Sequence, residues 1–204
     1  MKKLQAVTLV AALAPFFALA DSQSGTTKAE ASLDFKVTVP RVLMLQVGSA
    51  SAIHLLTFDV PADKVGKGTA VAPTGGDVNN SAVTVRVMAN GGDVTLNNRV
   101  IGAMKNTSVG AATTTPIEWN EISVVAGTLP VGNDSSYTNA AIPHPAFNAS
   151  SNGLGTPVTL AATAGVVRIE GSWTFAYANT KTHAAGVYGE SAGNGRVVYT
   201  ATTP

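Results

Sequence analysis

Leu33, Phe35, Val37 and Val39 alternate with Asp34, Lys36 and Thr38, and the same period of two returns along the chain. Between 82 and 88, Val83, Val85 and Val87 alternate with Thr84 and Arg86; between 166 and 177, Val167, Ile169, Trp173, Phe175 and Tyr177 share one face. A period of two puts every second side chain against a core, so these segments read as strands. Beyond the first twenty residues, no stretch of ten or more carries the helical period. Turn-rich joints between short alternating runs predict an all-β chain, an antiparallel β-sandwich of roughly eight to ten strands.

The opening residues carry a different message. Met1-Lys2-Lys3, an apolar run over 4–19 and the small-residue ending Ala18-Leu19-Ala20 describe a bacterial-style secretory signal peptide, expected to be cut after Ala20. Pro15 interrupts the run, which argues against a retained anchor. Without 1–20 the basic count falls from 13 to 11 against 12 acidic residues, a net charge of −1. Such a surface gives no electrostatic reason to bind nucleic acid or anionic lipid. Cysteine is absent, so an exported domain of this kind relies on its core and on association.

In chain order, 21–30 is a small polar leader, and 33–39 is the alternating run that Pro40 stops. A second apolar strand follows over 42–47. Pro-Arg between the two lacks the positive-φ residues of a tight hairpin, so 33–39 reads either as an arm pairing outside its own domain or as the first strand of a self-complete sandwich. Further strands are expected over 53–60, 117–125, 158–161, 166–177 and 196–202. Asn90-Gly91-Gly92-Asp93 predicts a hairpin joining 82–88 to 94–96. In 117–125, Ile117, Trp119 and Glu121 are expected on one face. Arg168, Glu170, Ser172 and Thr174 are expected outward on theirs, and Gly171 marks a bulge or a close approach.

No catalytic constellation stands out. His54, His144 and His183 lie in separate segments without ligand-spaced partners, and read as surface residues rather than metal ligands. Asp63, Asp77, Asp93 and Asp134 form no calcium-loop run. Neither a nucleophile elbow nor a phosphate loop is present. The expectation is a non-enzyme with no cofactor and no metal. Trp173 and Tyr177 sit in an apolar series and read as core, whereas Trp119 and Tyr137 are candidates for an exposed sugar-stacking platform.

The order of polar leader, alternating run, Pro40 and second apolar run closing in Gly48, together with Gly186-Val187-Tyr188-Gly189 and the alternating 197–202, resembles the alpha-type (class 5) pilins of the chaperone–usher pathway. The likeness covers the two ends of the chain; the 191–195 insertion departs from it, and 126–157 has no counterpart. The resemblance implies an Ig-like sandwich over 41–204, short of one strand, preceded by signal peptide 1–20 and a leader with donor strand over 21–40. Leu33, Phe35, Val37 and Val39 would then be the polymerising residues. Its partners would be further copies of itself head to tail, a periplasmic chaperone, an outer-membrane usher and a host glycan or protein receptor; its address would be the periplasm and then a surface fimbria. Four such side chains at about 1.5–3 kcal/mol each would supply on the order of 6–12 kcal/mol before entropy costs. The alternative is a secreted monomeric binding module, carbohydrate-binding or adhesive, using the Trp119–Tyr137 platform.

Overall fold

The computed structural model describes residues 24–49, 53–108, 114–130, 132–149, 152–191 and 193–204. The expected signal peptide therefore lies outside the described residues. The chain divides into two compact units, Met1–Pro40 and Arg41–Pro204. Among the described residues no helix is long and apolar enough to cross a membrane.

In the larger unit, eight strands form two sheets: β1 (Leu43–Val47), β2 (Ala82–Ala89), β3 (Val94–Ile101), β4 (Ile122–Gly127), β5 (Thr138–Asn139), β6 (Val158–Leu160), β7 (Val167–Tyr177) and β8 (Arg196–Thr202). One sheet runs β1-β2-β7-β4, with the short β5 alongside β7; the other runs β6-β3-β8. All pairings are antiparallel except β5 with β7. Inward side chains of both sheets, Val83, Val85, Val87 and Trp173 from one and Val94, Leu96, Val100 and Leu160 from the other, merge into one core. The chain is an all-β sandwich, as its period predicts.

The expected hairpin is not formed. β2 pairs with β1 and β7, and β3 with β6 and β8, so Asn90–Gly91–Gly92–Asp93 carries the chain from one sheet to the other. Turn residues specify the reversal, but not whether the flanking strands share a ladder; here both strands bury one apolar face against the common core, on opposite layers. The turn is held by side chains: Val42 N–H donates to Asn90 Oδ1 at 2.7 Å, and Ala162 N–H to Asp93 Oδ1 at 2.8 Å.

The 53–60 run makes no strand. Among the described residues its one bridge is Thr57 to Thr74, outside both sheets, while Leu56, Phe58 and Val60 pack against the core. The 117–125 strand starts late: a 3-10 turn at Trp119–Glu121 breaks the alternation, burying both of those residues, and β4 begins at Ile122. Because of that turn, Ile122, Val124 and Ala126 face the core and Ser123 and Val125 do not.

On β7, Glu170 and Ser172 are buried rather than outward. The 128–140 segment accounts for this. β5 runs beside Ile169 and Glu170, Ser172 Oγ donates to Thr128 O at 2.9 Å, and Asn139 makes two hydrogen bonds with the Leu129 backbone. Glu170 is satisfied by Arg86 Nε at 2.8 Å and the Asp134 N–H at 2.7 Å, as a buried carboxylate must be. Gly171 is a close approach and no bulge: the register with Val85 is unbroken, and a Cβ there would strike the carbonyls of Ala140 and Gly127.

Candidate functional site

In the smaller unit, 32–40 carry no strand pairing. Leu33, Phe35, Val37 and Val39 are 75%, 85%, 85% and 73% exposed, and none belongs to the hydrophobic core. Asp34, Lys36 and Thr38 between them are exposed as well. A series of four large apolar side chains in water is an unmet demand for burial, since scattered single residues are the norm on a soluble surface.

The larger unit carries the complementary feature. β1 is hydrogen-bonded only to β2, and β8 only to β3; among the described residues the second edge of each has no backbone partner. The core beside these edges is incompletely covered. Central strands bury Val85, Val87, Val94 and Val100 completely, whereas Leu45 and Val47 of β1 and Val197, Tyr199 and Ala201 of β8 are only partly buried, and Leu43 is exposed. An unpaired edge beside half-covered apolar side chains is a template for another strand.

The opposite seam is different. The chain crosses from sheet to sheet over 140–147, where Ile142 is fully buried and its carbonyl accepts from Trp173 Nε1 at 2.7 Å. Asn98 Nδ2 donates to the Pro145 carbonyl. His144 sits among Trp173, Phe147, Phe175 and Tyr199, with ring centroids 4.6 to 6.0 Å away, and its Nε2 shares a 2.8 Å hydrogen bond with the Tyr199 hydroxyl. Burial holds the imidazole down at about 4 and pushes the Tyr199 phenol up. Beside this segment a cleft of about 310 Å³ opens between β4 and the crossing chain, floored by Trp119, Val124 and Phe147.

The histidines are thus not plain surface groups. His144 fills an aromatic box; His54 accepts from the Ser49 N–H at 2.8 Å and ties Gly75; His183 lies 3.4 Å from the buried Glu121. Glu121 also takes Lys181 at 3.2 Å, a hydrogen bond that holds the lysine pKa up. No group of three or more His, Cys, Asp or Glu among the described residues is arranged to hold a metal ion. Trp119 and Tyr137 form no platform. Trp119 is buried, donating to Gly102 O at 2.9 Å, and Tyr137 lies under the guanidinium groups of Arg86 and Arg168 at 5.7 and 5.4 Å. The crossing segment was invisible in the sequence because Pro143 and Pro145 read as loop; Ile142 and Phe147, apolar residues in such a stretch, were the available signal.

No family model, curated protein or solved structure matches this chain.

Proposed function

We propose that this protein is a structural, pilin-like subunit, exported by a bacterium through the Sec route and polymerised head to tail on the cell surface by donor-strand exchange. The observation that carries the reading is a match of length and period. The arm 33–39 spans six residue steps, about 20 Å at roughly 3.3 Å each, and offers an exposed apolar side chain at every second position. The seven-residue β8 offers an open edge of the same length, with Val197, Tyr199 and Ala201 turned inward at the same period. An arm from one copy laid along the open edge of β8, beside β1 of the next, would extend the β6-β3-β8 ladder and cover the half-exposed core. Because donor and acceptor are different surfaces, the contact repeats as an open filament rather than a closed ring. Until assembly the open edge needs protection, which is the task of a periplasmic chaperone that hands the subunit to an outer-membrane usher.

The experiment is light scattering and an unheated SDS gel on the exported chain, with and without residues 21–40. Polymer from the full chain, and a monomer or chaperone-bound species from the shortened one, supports the reading. A full chain that stays monomeric, and that merely unfolds when shortened, removes it; 33–39 is then an internal strand.

A further inference from the structure

We infer that the chain is built so that its arm cannot pair with its own β1, which favours its use by a second copy; this rests on the assembly reading above. To lie along its own β1, segment 33–39 would have to reverse within Pro40, Arg41 and Val42. A two-residue reversal through Pro40-Arg41 needs φ > 0 at its first position in both favoured turn types, and a proline ring holds φ near −65°. A three-residue reversal needs Val42 in the left-handed region, which a β-branched residue avoids. Val42 is also engaged elsewhere: its N–H donates to Asn90 Oδ1 at 2.7 Å, and its carbonyl accepts from the Asn90 N–H at 3.2 Å. Arg41 continues the clasp, donating to Gly91 O at 2.9 Å, and a side chain at position 91 would collide with the guanidinium.

The approach to β1 is therefore fastened to the turn that leaves β2. A longer reversal would consume Val39 at one end, or unpair Leu43 from Ala89 at the other. Asn90 and Gly91, whose sequence reads as a hairpin turn, act as a stop against self-closure.

The test replaces the forbidding residues with the strongest two-residue reversal, Pro40→Asn with Arg41→Gly. Polymer mass should fall to that of a single subunit, with the arm protected from protease in that monomer. A Gly-Ser-Gly-Ser insertion between Val39 and Pro40, which leaves Arg41 and Asn90 in place, should do the same and decides the matter if the first variant does not fold. Either folded variant polymerising as well as the unaltered chain overturns the inference. If the unaltered chain is itself monomeric with its arm open to protease, the assembly reading fails and the barrier stands; a protected arm in that monomer overturns the barrier.

Discussion

Where the chain crosses between the sheets at 140–147, Ile142 and Pro145 are fully buried and His144 and Phe147 pack beside them, each held by backbone or aromatic contacts. Between β1 and β8 the same core ends in Leu45, Val47, Val197 and Ala201, only partly buried beside unpaired strand edges. Both seams face the same apolar interior. The first is closed by directional bonds such as Trp173 Nε1 to Ile142 O, which fix one segment in one place. The second presents only apolar shape and unpaired backbone, terms that accept any strand with the right period. A seam meant to be permanent and a seam meant to be exchanged would differ in this way.

The largest expected effect is at the seam between β1 and β8. Phe35→Asp together with Val37→Asp would place two carboxylates where apolar side chains should enter, at a cost of several kcal/mol each. Polymer should vanish from light scattering, while the monomer keeps its melting temperature, since both residues are solvent-exposed in the single chain. Assembly surviving the double change would end the comparison. The permanent seam answers differently. Trp173→Ala removes a fully buried ring and its bond to Ile142, and should cost about 3–5 kcal/mol in chemical denaturation of the monomer.

The strands were legible where alternation was unbroken: β2, β6, β7 and β8 lie where the period places them. The run 33–39 was legible as a segment set apart by Pro40 and a polar leader, but that its four apolar side chains stay exposed was not. Pairing was not. Asn90–Gly91–Gly92–Asp93 reads locally as a hairpin, and only the need to supply both layers of the core makes it a crossing. The burial of Glu170 and Ser172 depends on 128–140 folding over β7, a long-range contact with no local period. The open edges of β1 and β8 belong to the same class: an edge is a property of strand order, which alternation does not encode.

His144 gives the permanent seam a pH dependence. Its pKa is lowered to about 4 by burial among Trp173, Phe147, Phe175 and the Tyr199 hydroxyl, none of them a counter-charge. Unfolded, the imidazole titrates near its ordinary value of 6.5. Stability is therefore full above that value and declines as pH falls towards 4, because only the unfolded chain takes up the proton, for a total of about 3 kcal/mol. Urea midpoints between pH 7 and pH 4.5 read the slope, and His144→Gln should flatten it. An unchanged slope in that variant would show that the box does not control the acid response.

The smallest effect is the most diagnostic of the two seams. Val197→Ala on β8 removes part of a half-buried side chain, so the monomer should lose no more than about 1 kcal/mol. In the polymer the same side chain would be fully covered by an incoming arm, and the loss should be about twice as large. Ile142→Ala, on the permanent seam, is already fully buried in the single chain and should cost the same in both states. Thermal unfolding of monomer and polymer for the two variants separates them. If Val197→Ala shifts both states equally, β8 is not the edge that assembly covers, however well the lengths agree.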